Sequence, residues 1–314
     1  MNILVIGANG QIGSELVPAL REKFGRNNVI AADKKISKKS KSSNDDKDLF
    51  LDVLNKESLE KIVSENDIQI IFHLAAILSA IAENVPQKGW DININGLMNI
   101  LEVGRNHNIK KIIWPSSIAV FGPKTPKINT PNDTILRPTT MYGITKVSGE
   151  LLINYYHEKY DLDVRSVRLP GIISNKTLPG GGTTDYAVEI FYEALKNKKY
   201  ISFLKRDTKL PMMYMPDCIS AMIMLLEAES SQLKRRVYNI TSMSFSVEEI
   251  AQEIKRHIPE FVIQYDPDFR QEIANTWPES INDSLARKEW KWNPSYDLCA
   301  MTKDMIQKLK KRVL

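Results

Sequence analysis

The feature that most constrains this chain is its opening: Asn2-Ile3-Leu4-Val5-Ile6 runs directly into Gly7-x-x-Gly10-x-x-Gly13. A continuous apolar run of strand length suits a central parallel strand buried on both faces. A helix is expected over residues 11–24, so the glycines stand between a strand and a helix, the context in which such spacing has meaning. Glycines permit the tight turn and let backbone N–H groups approach a pyrophosphate. The helix N-terminus behind them adds roughly half a positive charge. The same three glycines also make an ordinary turn between strand and helix.

The alternation continues. Strands are expected over residues 29–32, 68–74, 111–114 and 163–169, and helices over 56–65, 94–106 and 142–160. Strands alternating with helices of this length predict an α/β fold built on a doubly wound parallel Rossmann sheet. After Pro170 the character changes: Gly, Pro and Thr cluster at residues 178–184, and 266–294 shows no clean period. We therefore expect an NAD-binding Rossmann domain over 1–170. A smaller, mainly substrate-binding lobe should occupy 171–314, with some of its elements returning to the sheet. The polar Lys- and Ser-rich segment 34–47 is expected to be a mobile loop.

Composition narrows the function classes. Of 314 residues, 43% are hydrophobic and 26% charged, an ordinary globular balance. No apolar run approaches the roughly 20 residues that span a bilayer, and with the Gly motif starting at residue 7 no secretory leader is expected. Cys218 and Cys299 lie far apart and outside any metal or redox spacing, which suits a reducing cytoplasm. The formal charge of +5 arises largely from two lysine-rich runs, at 34–41 and 308–312. Without interleaved aromatics these are expected to be solvated surface, not a nucleic-acid or membrane site.

Asp33 lies twenty positions after Gly13, at the end of the second strand. There a carboxylate can hydrogen-bond an adenosine ribose and repel a 2′-phosphate, which favours NAD over NADP. Lys34 and Lys35 argue the other way. Asp52 and Val53 would suit the adenine edge, and a simple surface turn explains them equally well.

Tyr142 and Lys146 are four residues apart on an expected helix, so phenol and ammonium share a face. To act as a base near neutrality the phenol, ordinarily near pH 10, needs its anion stabilised by about 3 units, or about 4 kcal/mol. A neighbouring ammonium pushes that way. Alone, the pair could equally be packing or surface. Ser117 follows an apolar strand at the carboxyl end, where open α/β sheets bind ligands, and precedes Tyr142 by twenty-five residues. Its hydroxyl could hold a reacting alcohol, or it could be a turn residue.

Thr183, Thr184 and Asp185 offer donors for a carboxylate and an acceptor for an ammonium, as a zwitterionic amino acid requires. Thr184 or Asp185 could instead cap the following helix. Ser79 could reach the same pocket or be an ordinary loop serine. His73, in an apolar strand without other ligands at metal spacing, is expected to be a packed core histidine. No catalytic metal is expected.

Taken in order, the glycine motif, His73-Leu74-Ala75-Ala76, Asn95-Gly96, Ser116-Ser117 and Tyr142-x-x-x-Lys146 resemble the extended short-chain dehydrogenase/reductase superfamily, of which UDP-galactose 4-epimerase is a familiar member. The strings from Trp114 to Gly122, Pro179 to Ala187 and Pro211 to Asp217 are similar to the short-chain L-threonine 3-dehydrogenases. So are Phe269-Arg270-Gln271, Trp277-Pro278 and residues 301–305. The resemblance covers nearly the whole chain. It implies Ser117, Tyr142 and Lys146 as the catalytic set, and Ser79, Thr183, Thr184 and Asp185 around an L-threonine substrate. Asn95 would support Lys146 through water. The cofactor contacts expected are Gly7, Gly10, Gln11, Ile12, Gly13, Asp33, Asp52, Val53, Leu74, Ala75, Ala76, Asn95, Tyr142, Lys146 and Pro170. A homodimer is also implied. Two rivals stand beside this reading: a nucleotide-sugar epimerase or dehydratase on the same scaffold, and a binding protein that senses NAD without chemistry.

Overall fold

The computed structural model describes residues 1–35, 48–178 and 180–313. Its strands are β1 (Asn2–Ile6), β2 (Val29–Asp33), β3 (Asp48–Phe50), β4 (Ile68–His73), β5 (Lys111–Ile113), β6 (Ser116–Ser117), β7 (Val164–Leu169), β8 (Gly171–Ile173), β9 (Lys199–Ser202), β10 (Lys209–Tyr214), β11 (Val237–Asn239), β12 (Met243–Ser246) and β13 (Val262–Tyr265). The helices are α1 (Gly13–Phe24), α2 (Lys56–Glu65), α3 (Ser79–Asn84), α4 (Pro86–Trp90), α5 (Gly96–Asn106), α6 (Met141–Tyr160), α7 (Tyr186–Lys196), α8 (Met215–Glu227), α9 (Val247–His257), α10 (Arg270–Ala274), α11 (Ser284–Trp290) and α12 (Leu298–Val313).

The main sheet runs β11-β7-β5-β4-β1-β2-β3, with β6 paired to β7. Every pairing in it is parallel. Strand alternation explains the two helical layers. Ile3 and Val5 point to a core shared with Leu16 and Leu20 of α1, Met222 and Leu225 of α8 and Trp290 of α11. Leu4 and Ile6 point the other way, among Leu59 of α2, Ile100 of α5 and Ile153 of α6. The doubly wound parallel sheet expected from the sequence is therefore the fold. Its order reverses at β1, whose two neighbours, β2 and β4, are reached in opposite directions, so a crevice opens at the carboxyl ends of β1 and β4.

Three elements after residue 170 return to this sheet, β11 within it and α8 and α11 on its face. Arg165 of β7, fully buried, anchors the first of these helices: its Nη1 donates to the carbonyls of Leu225, Leu226 and Ala228 at 2.6, 3.2 and 2.6 Å. A cation thus satisfies the carbonyls that a helix end leaves free. The remaining C-terminal elements build a separate core from Phe191 of α7, Leu210 of β10, Phe245 of β12, Ile250 of α9 and Met305 of α12.

The helix expected over 94–106 starts differently. A turn of π-helix, Asp91–Asn95, joins α4 to α5 and changes which side chains face inward. Of the expected loop at 34–47, residues 36–47 lie outside the described residues. Among those described, no helix is long and apolar enough to cross a membrane.

Candidate active site

Two cavities meet at the carboxyl end of β4, where Leu74 and Ala76 line both. One, of about 350 Å³, is lined by Gly7, Gly10, Asp33, Asp52, Val53 and Ala75. The other, of about 140 Å³, is lined by Gln11, Ile12, Ser79, Ser117, Tyr142, Lys146, Pro170, Thr183, Thr184 and Asp185, among others.

The first cavity has the form of a dinucleotide cradle. Gly7 turns at φ +85°, and a Cβ there would lie 2.6 Å from the Ala75 amide nitrogen. A Cβ on Gly13 would lie 2.3 Å from the Gly7 carbonyl oxygen, so a larger residue would push α1 off the turn. At the start of α1, Ile12 offers no side-chain cap, which leaves the helix's positive end for an anion. Asp33 is fixed at the end of β2: its carboxylate accepts from Asn9 N at 2.9 Å and Lys35 N at 2.8 Å. The ammonium of Lys34, which could have favoured a 2′-phosphate, is paired to Asp52 at 2.5 Å. That pairing holds the Asp52 carboxyl below its usual range. Asp52 also accepts from Leu54 N, so it builds a turn while bordering the cavity.

Helix α6 carries Tyr142 and Lys146. Thr140 caps it by accepting from Gly143 N at 3.1 Å. Gly143 lets the first turn sit directly on the segment after Ser117; a Cβ there would lie 2.2 Å from the Ala119 carbonyl oxygen. This close approach brings Tyr142 to Ser117. The Ser117 oxygen accepts from Ala119 N at 3.2 Å, and Ser117 and Tyr142 line the same cavity. Burial pushes the Tyr142 phenol up to about 12, against a smaller downward pull from Ser117. Burial likewise pushes Lys146 down to about 7, opposed by the charge of Glu150.

The expected effect of Lys146 on the phenol needs correction. Its Nζ donates to the Pro115 carbonyl at 2.7 Å and stands 4.4 Å from the Trp114 ring and 5.6 Å from the Tyr142 ring. Within the protein alone, burial raises the phenol's pKa, the opposing pull comes from Ser117 and not from Lys146, and the phenol is harder, not easier, to ionise.

On the other side of the pocket, Ser79 opens α3, and its Oγ lies 3.3 Å from Thr183 Oγ1, both side chains being buried. At the far end of the same helix, Glu83 accepts from Met141 N at 2.6 Å, which ties α3 to the start of α6. Asp185 does not cap α7, as one reading of the sequence had it. Its carboxylate turns back to accept from Gly181 N and Gly182 N at 2.8 and 2.7 Å and closes the Gly-rich turn against the pocket. Burial raises its pKa.

Asn95 is a second correction. It is exposed and donates to Asp91 at 3.0 Å, away from both cavities. The buried asparagine is Asn93, whose Nδ2 donates to Thr145 Oγ1 at 3.1 Å and to the Ile77 carbonyl, while its Oδ1 accepts from Ile77 N. The π-helical turn put Asn93 inward, and the sequence holds no signal that separates the two. Ile77 and Ile92 on the dinucleotide side, and Ile118, Ile172 and Trp277 on the other, line the cavities without having been expected as site residues, although Ile118 and Trp277 lie in strings that carried the resemblance. The remaining residues of the expected set line the two cavities, except Gly13, which packs beneath the turn against Gly7 and Ala8. A phenol and a serine hydroxyl on one cavity, with a lysine one turn away, are the groups that can exchange a proton with an alcohol held between them.

A profile of the NAD dependent epimerase/dehydratase family matches residues 3–241. An uncharacterised epimerase/dehydratase of Staphylococcus haemolyticus is 47% identical over 312 residues, covering 99% of this chain and 98% of that protein. Among solved structures, L-threonine dehydrogenase from Clostridium difficile superposes with a TM-score of 0.96 at 51% identity, covering 99% of this chain and 98% of the other. An L-threonine 3-dehydrogenase from a metagenome, described as monomeric, gives a TM-score of 0.95 at 48% identity, with 99% and 100% coverage.

Proposed function

Because the chain belongs to the NAD dependent epimerase/dehydratase family, we propose that it oxidises L-threonine at the β-carbon, giving 2-amino-3-oxobutanoate, NADH and a proton from L-threonine and NAD⁺. The glycine turn, the uncapped start of α1 and Asp33 fit the dinucleotide, and the pairing of Lys34 with Asp52 favours NAD over NADP. When bound, the cofactor supplies the hydride acceptor and a positive charge beside the phenol. Tyr142 takes the proton of the β-hydroxyl at its phenolic oxygen. Ser117 donates to the substrate oxygen as it becomes a ketone, and Lys146, whose ammonium form the charge of Glu150 favours, is held by the Pro115 carbonyl. Ser79, Thr183 and Thr184 offer hydroxyls to the substrate carboxylate, and Asp185 an acceptor to its ammonium.

One observation carries the amino-acid reading over a nucleotide-sugar one. The cavity at Tyr142 is only about 140 Å³ and is bordered on one side by the turn that Asp185 holds. Sites for larger ligands run to roughly 300–1,000 Å³. Both parts of the chain line the Tyr142 cavity, the part after residue 170 adding Gly171, Ile172, Thr183, Thr184, Asp185 and Trp277. Exposed Ile144, Leu151 and Tyr155 on α6 are a face on which two copies could pair as a homodimer, which sedimentation would read directly. Free Cys218 and Cys299 suit a reducing cytoplasm.

The test is NADH absorbance with L-threonine and NAD⁺. Turnover is expected to rise with pH as the phenol ionises. Tyr142→Phe should abolish it while calorimetry still detects NAD⁺ binding. Turnover of a sugar nucleotide with no net NADH would replace this reading with the epimerase one.

A further inference from the structure

Behind the catalytic face of α6 lies a charged network that the proposed reaction does not use. Glu150, one turn beyond Lys146 on the same face, is 4% exposed. Its carboxylate accepts from Ser116 Oγ at 2.6 Å and is clamped by Arg168 through Nε at 2.9 Å and Nη2 at 2.8 Å. Both charged side chains are 5% exposed. Arg168 itself is fully engaged: its Nη1 donates to the Asn132 carbonyl at 2.6 Å and to Asn239 Oδ1 at 3.1 Å, and its guanidinium lies over the Phe121 ring.

The position of this pair matters. Ser116 and Arg168 are register partners where β6 meets β7, and Ser117 pairs with Leu169 next along. Glu150 therefore grips both strands at the point where they deliver Ser117 and Pro170 to the pocket. On its own helix it stands beside the ammonium that bonds the Pro115 carbonyl. We propose that Glu150 is a positioning residue: with Arg168 it fixes the Ser116–Ser117 strand against α6, and its charge holds the Lys146 ammonium in place one turn away.

A buried bidentate pair is a poor choice for stability alone, since apolar residues of similar volume often do as well or better. Its negative member is placed where it opposes the burial of a functional cation. Among the described residues, the other titratable groups that face Lys146 are His73 from β4, which burial keeps neutral, and Tyr142 on its own helix, while Arg168 of β7 pairs with Glu150.

The inference rests on the proposed threonine reaction for its kinetic arm only. Glu150→Gln keeps the shape and the Ser116 hydrogen bond but leaves Arg168 buried and unpaired, so it is paired with the double variant Glu150→Gln/Arg168→Met, which removes both charges together. Competitive acetylation followed by mass spectrometry gives the titration midpoint of Lys146 without any substrate. That midpoint should fall by about one unit or more in whichever variants fold. For L-threonine, kcat should fall on the order of tenfold, with KM nearly unchanged, and Glu150→Asp should recover part of it. An unchanged Lys146 midpoint overturns the proposal, and so does a shifted midpoint with wild-type kcat. If the wild-type protein forms no NADH from L-threonine, the proposed function fails, and the acetylation midpoint still decides this inference.

Discussion

In the proposed function, cofactor choice rests on one carboxylate, that of Asp33. Two backbone N–H groups hold it at the end of β2, so its charge faces any 2′-phosphate entering the larger cavity. Asp33→Ala should narrow the preference for NAD⁺ over NADP⁺ by roughly tenfold or more, read as the ratio of the two kcat/KM values. An unchanged ratio would mean the ribose binds elsewhere. His73 makes a different point. Both its ring nitrogens are buried without a hydrogen-bond partner, and burial, with a smaller contribution from the Lys146 charge, pushes its pKa down to about 3. The unfolded chain, with His73 near 6.5, takes up the proton first as pH falls. Stability is therefore complete above about 6.5 and is lost toward about 3, a contribution on the order of 5 kcal/mol. Urea titrations should show His73→Leu losing less stability than the wild type across that window. The sequence already pointed to a core histidine, because nothing at ligand spacing accompanied it.

Elements set what single residues can do. Helix α6 is brought to the sheet by Gly143, which has no side chain to hold it away from the Ala119 carbonyl, and is started by the Thr140 cap. Its position makes Tyr142 a neighbour of Ser117. The turn before α7 is set by Asp185 accepting from two backbone N–H groups. Asp185→Ala should release that turn and raise KM for L-threonine by about tenfold or more, with NAD⁺ affinity nearly unchanged. Equal weakening of both ligands would mean that the turn supports the whole crevice and not the substrate side. The helix spans of α2 and α6 were legible from periodicity and caps. The reach of Asp185 was not, since an Asp before a helix has the same local signature whether it caps forward or folds back. Asn95 was misplaced for a related reason. One π-helical turn shifts the inward face by about a residue, and the period of the apolar positions is too coarse to register it.

At the scale of the molecule, the boundary near residue 170 does not divide two independent bodies. Strand β11 completes the sheet beside β7, and α8 and α11 cover one of its faces with Met222, Leu225 and Trp290, joined by Trp292 just after α11. A fragment ending at residue 170 would leave Ile3, Val5, Phe72 and Val167 facing water on the side these elements cover. It should show no cooperative thermal transition by circular dichroism, whereas the full chain should melt in one. A sharp transition for the fragment would make the N-terminal part a domain in its own right. The sequence by itself determined the parallel sheet, the glycine turn, the acidic residue at the end of β2 and the placing of Ser117, Tyr142 and Lys146 around one cavity, because each depends on spacing within one or two adjacent elements. Tertiary structure alone decided that Asn93 and not Asn95 is the buried asparagine, that Lys34 is neutralised by Asp52, that Trp277 reaches the pocket, and that Glu150 and Arg168 meet behind it. Those contacts join residues far apart in the chain or hang on a local change of helical pitch, and three-dimensional packing is the only thing that fixes either.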